Sequence, residues 1–249
     1  MRRITLLPFV LIAASPLYAR HGPVRILEHR SDGSVTSTNW SGYAVTGLEG
    51  SISSVTGSWI VPTVNCEGTN PAIGAASFWI GIDGYTTATV EQTGTDSDCA
   101  NGTPLYYAWY EFFPDPGITI TTISVQPGDV MSASVTYNGT EFTATIENQR
   151  THQTFTRSKA VAAAKRSSAE WIGESPAGPL PNYGSAFFGE DETGFLRTCE
   201  ATLNSDTVPI GKFPSQIVHA ITMVSSTGAT EAAPSALSPD GSSLAIECH

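Results

Sequence analysis

Across residues 55–247 the chain is a succession of short runs rich in Val, Ile, Thr, Phe and Tyr, each stopped within a few residues by Gly, Pro, Asn or Asp. Branched and aromatic side chains suit extended backbone and Gly and Pro punctuate it, so this pattern predicts many short strands. Residues 55–61 stop at Pro62, 77–83 at Gly84, and 105–113 at Pro114-Asp-Pro-Gly117. Residues 118–125 lead into Gln126-Pro-Gly-Asp129, and 130–137 and 141–147 flank Asn138-Gly139, a type I′ hairpin signal. Further runs are 89–93, 154–157, 170–172, 184–188, 199–203, 217–224 and 243–247. Only 159–166 is helix-like, and without caps it reads equally as a loop. With 23 Gly and 16 Pro in 249 residues, the expected fold is an all-β sandwich or barrel. No internal repeat or linker divides it, so residues 39–249 are expected to form one domain.

The first 38 residues differ in character. Arg2 and Arg3, the apolar stretch 4–14 and Leu17-Tyr-Ala19 predict a secretory signal over residues 1–19. Residues 20–38 are polar, basic and unpatterned, and are expected to be a short leader or pro-segment, or a disordered tail. Met1 to Thr38 holds five of the 12 basic residues and two acids, whereas the remainder carries 7 basic and 21 acidic residues, a net of −14. Such a surface disfavours nucleic acid and anionic membranes as partners. It gives the basic segment an electrostatic reason to lie on the domain, with a tail of no effect as the alternative. No later stretch is long enough to span a bilayer, and a secreted monomer is expected. Cys66, Cys99, Cys199 and Cys248 suit an oxidising destination; of three possible pairings, Cys66–Cys99 and Cys199–Cys248 close local sections and are preferred.

Familiar catalytic signatures are missing: the sequence has no G-x-S-x-G, S-x-x-K, H-E-x-x-H or pepsin-type D-[ST]-G, and no C-x-x-C. No metal or other cofactor is called for. His219 sits in an apolar strand pattern and reads as a satisfied core residue. Carboxylates and amides in aromatic settings remain. In 77–83, alternation sets Phe78, Ile80 and Ile82 on one face and Trp79, Gly81 and Asp83 on the other. In the next run Val90 and Gln92 share a face, and Gly94 is expected to end it. Tyr107, Trp109, Glu111 and Phe113 share a face, as do Glu170, Ile172 and Glu174. Surface placement is the simpler reading of any one carboxylate; their conjunction points to a site.

Asn39-Trp-Ser-Gly-Tyr43, Phe78-Trp-Ile-Gly-Ile-Asp-Gly84, Glu91-Gln-Thr-Gly-Thr-Asp96, Ala108-Trp-Tyr-Glu111 and Ala169-Glu-Trp-Ile172 follow one another as they do in the eqolisins, the glutamic peptidases. The sequence resembles that family from Asn39 to Glu247. The resemblance implies a lectin-like (jelly-roll) β-sandwich of two antiparallel sheets with a Gln–Glu dyad on its concave face. It matches Gln92 and Glu170 to the dyad, and Trp79, Asp83 and Glu111, with Tyr107 and Trp109 beside them, to positions lining or supporting the cleft. Tyr107 departs from the acid found before Ala-Trp in fungal members. The implied activity is acid endopeptidase action on unfolded or extended polypeptide, with Glu170 activating water and Gln92 stabilising the oxyanion. A lectin, whose sandwich and exposed aromatics suit sugar rings, and a glycoside hydrolase pairing Glu170 with Glu111 or Asp83 are the competing readings.

Overall fold

A computed structural model describes residues 21–67, 73–189 and 197–249; the signal-sequence expectation for residues 1–19 lies outside them. In chain order the first strands are β1 (Ile26–His29), β2 (Val35–Ser37), β3 (Trp40–Thr46), β4 (Ile52–Ile60), β5 (Ile73–Gly74) and β6 (Ser77–Ile82). Then come β7 (Val90–Ala100), β8 (Thr103–Phe113), β9 (Ile118–Ile120), β10 (Val130–Tyr137), β11 (Phe142–Asn148), β12 (Gln153–Lys159) and β13 (Ser168–Glu174). The last are β14 (Ser185–Gly189), β15 (Glu200–Leu203), β16 (Asp206–Pro209), β17 (Val218–Val224), β18 (Thr230–Pro234) and β19 (Ser243–Cys248). The helix-like stretch is a loop beyond β12.

One run of neighbours is β9-β8-β7-β6-β13-β3-β17. A second is β12-β11-β10-β4, continued through β15 and through β14 to β19 and β18. Pairing of β17 with β18 makes the hydrogen bonding continuous, so the fold is one large antiparallel sheet folded on itself; β2 beside β17 is parallel. The main core lies between the runs. Phe78, Ile80, Ile82, Ala108 and Trp171 of the first meet Val55, Trp59, Met131, Val135, Ile146 and Phe188 of the second. Each large side chain so buried contributes about 2–3 kcal/mol relative to exposure. The expected alternation of 77–83 therefore holds.

The other face of the first run carries Trp40, Trp79, Trp109, Ile172 and Val90, and it too is buried. What packs against that side is the basic segment, which is not an unpatterned tail. Its strands β1 and β2 pair with each other, and Val24, Ile26 and Val35 pack against the tryptophans.

Three local expectations change. β7 does not end at Gly94 but runs eleven residues, because Gly94 lies flat under its neighbour. A Cβ there would sit on the Phe78 carbonyl oxygen and 2.5 Å from Trp79 Cβ. The Asn138-Gly139 connection spans four residues between β10 and β11, with Asn138 Oδ1 accepting the Thr140 and Glu141 amides at 2.9 and 3.0 Å. Gly139 has positive φ but Asn138 does not, so the turn is not type I′. Of the cysteines, Cys66 and Cys99 form the expected disulfide, while Cys199 and Cys248 are free. Cys199 is enclosed in the main core beside β15 and Cys248 ends β19 near the Pro181 carbonyl, so the two thiols face different neighbours.

Candidate active site

Alternation along four adjacent strands sets one face of the first run. β13 contributes Glu170, Ile172 and Glu174; β6 contributes Gly81, Trp79 and Ser77; β7 contributes Gln92, Gly94 and Asp96; β8 contributes Glu111, Trp109 and Tyr107. Cross-strand register arranges them in three rows: Glu170–Gly81–Gln92–Glu111, Ile172–Trp79–Gly94–Trp109, and Glu174–Ser77–Asp96–Tyr107.

Gln92 and Glu111 meet: Gln92 Nε2 donates to Glu111 Oε2 at 3.1 Å, while Gln92 Oε1 and Glu111 Oε1 have no hydrogen-bond partner. Glu174 accepts Trp79 Nε1–H at 2.9 Å and Asn39 Nδ2–H at 3.5 Å. His21 ties these groups together. Its carbonyl accepts a short bond from Gln92 Nε2, and its N–H donates to Glu111 Oε2 at 3.2 Å. Its ring lies flat on Trp109, centroids 3.7 Å apart and planes within 4°. Nδ1 is 3.1 Å from Ser77 Oγ and 3.7 Å from Glu174, and Nε2 is 3.8 Å from Asp96 Oδ2. The main chain beyond is held too: Trp40 Nε1 donates to the Gly22 carbonyl and Asn39 Nδ2 to the Pro23 carbonyl, both at 3.1 Å, and the Val24 N–H donates to Gly84 O at 3.1 Å.

Glu170 is in the same row as Gln92 but does not join it. The strand between them presents Gly81, and a Cβ built there would stand 3.0 Å from Trp79 Cζ3. The indole of Trp79 therefore reaches over Gly81, the residue that stands between Gln92 and Glu170 in the register. Glu170 is wholly buried, and its electrostatic company is Ser168, Asp83, Glu91 and Tyr85. Asp83 is not free for chemistry. Its carboxylate accepts the backbone N–H groups of Lys165, Arg166 and Ser167 at 2.7–2.9 Å and so fixes the loop before β13. Tyr107 donates toward Asp96 and Asp98, each at 2.8 Å. His219 is hydrogen-bonded as expected, between Thr46 Oγ1 and the Gly33 carbonyl, but it is half-buried rather than in the core.

Five carboxyls of this face, Glu111, Glu170, Glu174, Asp96 and Asp98, hold their protons more tightly than usual. Burial is the leading cause throughout. It pushes Glu174 up to about 8 against the donors Trp79, Trp40 and Asn39, and Glu111 up to about 9 with help from the charge of Glu174. Asp96 rises to about 7 and Asp98 to about 6, and Glu170 well above the ordinary range. Burial lowers His21, opposed by Asp96. Among the described residues no group of His, Cys, Asp and Glu is arranged to hold a metal, and no helix is long and apolar enough to cross a membrane.

Of this constellation, reading the sequence missed His21, Ser77, Asp96 and Glu174 as site residues. Period-2 alternation carried past Gly94 would have found Asp96, and it did set Glu174 on the face of Glu170. Nothing in the local sequence marks His21.

A Peptidase A4 family model matches residues 38–230. The chain belongs to the peptidase A4 family. Within it, the chain is 31% identical to aspergillopepsin-2 of Aspergillus niger over 160 residues, 55% of this chain and 56% of that protein. It is 34% identical to scytalidopepsin B of Scytalidium lignicola over 140 residues, 54% and 50% of the two chains. It thus spans about half the length of these relatives. Scytalido-glutamic peptidase, solved with a transition state analog inhibitor, superposes with a TM-score of 0.68 at 21% identity, over 85% of this chain and 98% of that one. Aspergilloglutamic peptidase from Aspergillus niger gives 0.58 at 27% identity, over 70% and 99%. The shared fold is that of the glutamic peptidases. The family match begins at residue 38, so the His21–Ser37 segment lies outside it.

Proposed function

We propose that this member of the peptidase A4 family is a secreted acid endopeptidase that hydrolyses unfolded polypeptide with Gln92 and a glutamate, and that the glutamate is Glu174 rather than Glu170. One observation carries the reading. The main chain at His21–Val24 is gripped as an extended peptide would be, with the His21 carbonyl on the Gln92 amide and successive donors along it.

A scissile carbonyl in the place of the His21 carbonyl receives the Gln92 N–H, which strengthens as the oxygen becomes negative. Glu111 accepts the other side of that NH₂ and fixes which way the amide faces. Gln92 Oε1, free of protein partners, is left to hold a water. An ionised Glu174 takes a proton from that water as its oxygen attacks the carbonyl carbon. Glu174 then passes the proton to the departing nitrogen as the C–N bond breaks. With His21 seated, burial keeps Glu174 near 8 and hence protonated in acid. Once water replaces His21, desolvation is relieved and the carboxyl falls back toward the ordinary carboxylate range. The Trp79 wall and the company of Glu170 argue against Glu170 as the base. The engagement of Asp83 and that same wall also argue against a glycosidase pair built on Glu170.

The test uses full-length chains carrying His21→Ala, to weaken the hold of the segment on the cleft, incubated with an unfolded protein at acidic pH. Gln92→Ala and Glu174→Gln should each lower turnover on the order of a hundredfold or more, with Glu170→Gln close to its parent. Activity retained in Glu174→Gln and lost in Glu170→Gln would return the role to Glu170. Activity retained in all three would end the dyad reading.

A further inference from the structure

The segment in the cleft also reports what the cleft selects. We propose that the pocket filled by the His21 ring is a specificity subsite that prefers histidine on the residue whose carbonyl Gln92 holds, with Trp109 as stacking face and Asp96, positioned by Tyr107 and Ser77, as polar wall. This rests on the peptidase reading for its role in hydrolysis, but the pocket itself stands on contacts. His21 is 2% exposed, although it belongs to a segment outside the family match. A planar ring 3.7 Å from the Trp109 indole and nearly parallel to it gains dispersion and stacking that an aliphatic branch cannot. Both ring nitrogens face polar oxygens: Ser77 Oγ and Glu174 on one side, Asp96 on the other. A phenylalanine would stack but turn C–H edges toward those buried oxygens, leaving them unpaired. A lysine would reach the carboxyls but cannot lie flat on the indole.

Tyr107 is the residue that makes this wall. Its hydroxyl bridges Asp96 and Asp98 at 2.8 Å each, and Ser77 Oγ donates to the other Asp96 oxygen. A phenol has one proton to give, so one of the two bridged carboxyls carries its own and donates back. The bridge thus fixes Asp96 beside the imidazole. At the next position along the peptide the cleft is more open. A Cβ added to Gly22 would make ordinary contact with Phe113 at 3.6 Å, so glycine is not required there.

Two readouts test the proposal on the full-length His21→Ala chain, using capped peptides Ac-X-Gly-Pro-Val-NH₂ with X as His, Phe or Leu. Binding, followed by tryptophan fluorescence, should favour His over Leu by about tenfold or more, with Phe between. Tyr107→Phe added to His21→Ala should reduce that preference to a few-fold. Mapping cuts in an unfolded protein should show His enriched on the carbonyl side of the scissile bond. Equal binding of the three peptides, or binding of none, overturns the proposal. Cleavage without His enrichment overturns it while sparing the peptidase reading, and a His binding preference with no cleavage of any substrate sinks the peptidase reading while the pocket stands. If His21→Ala fails to fold, the wild-type chain serves. Free His peptide should then speed amide hydrogen exchange over residues 21–25 more than the Leu peptide does, and equal effects refute the proposal.

Discussion

Glu91→Gln isolates the energetic consequence of burying carboxyls on this sheet. Glu91 is fully buried on β7, and burial together with the nearby Asp83 charge raises it from 4.5 to about 9. The sign follows from proton counting. Between those two values the folded chain holds the proton and the unfolded chain releases it, so unfolding is favoured as pH rises. Stability from this group is complete below about pH 4.5 and is lost toward pH 9. Each pH unit inside the window corresponds to about 1.4 kcal/mol for one group. From the lower edge to pH 7 the ceiling is therefore about 3 kcal/mol, and coupling to Asp83 and Glu170 brings the expectation to roughly 1–3 kcal/mol. Glutamine has the shape of the protonated acid and no proton to lose. The stability of Glu91→Gln relative to wild type should accordingly rise by that amount between pH 4 and pH 7. Urea unfolding followed by tryptophan fluorescence at the two pH values measures it. A difference between variant and wild type that is the same at both would refute the argument.

Other outcomes follow from single contacts. Asp83→Ala leaves one buried and two part-buried backbone N–H groups without their acceptor and should cost on the order of 2–3 kcal/mol in denaturant unfolding. Gly94→Ala places a methyl on the Phe78 carbonyl and against Trp79; loss of soluble, cooperatively folding protein is expected on expression. Reducing or mutating Cys66–Cys99, which closes a 33-residue separation, should lower stability by about 3–4 kcal/mol. Thiol titration of the unreduced, denatured chain should count the two free cysteines Cys199 and Cys248.

Most of the strands were legible because their chemistry is local. β10, β11 and β19 fall within a residue or so of the runs read from branched residues and turn signals. β1, β2 and β16 were not, since they are short and polar, and what makes them strands is a partner elsewhere. Gly94 misled for a related reason. A glycine in a strand weakens it locally, but here the Trp79 side chain occupies the space a Cβ would need, which only the paired strand can reveal. The second disulfide misled because loop closure says nothing of which way a thiol points. His21 was invisible, as its role depends on Trp109, Gln92 and Ser77, all more than fifty residues away.

The proposal of Glu174 in place of Glu170 turns on what strand logic leaves open. The two lie on one face of β13, so a period of two treats them alike. Register alone favours Glu170, since Glu170 shares a row with Gln92 and Glu174 does not. The deciding object is the Trp79 indole. Gly81 has no side chain to oppose it, so the ring leans across that position, which lies between Gln92 and Glu170 in the register. Its Nε1–H is then aimed toward the far end of β13, where it meets Glu174. In the proposed reading, one tryptophan and one glycine two residues apart set Glu170 aside and hold Glu174 for the reaction. Replacing Gly81 by alanine should test that division of roles. The added methyl would stand 3.0 Å from both Trp79 Cζ3 and Gln92 Cβ, pressing on the ring that holds Glu174 and on the amide that holds the carbonyl. In the His21→Ala background peptide hydrolysis should fall at least tenfold while the tryptophan fluorescence of the folded chain changes. Unchanged turnover with a displaced indole would mean that Trp79 does not orient Glu174 for the reaction.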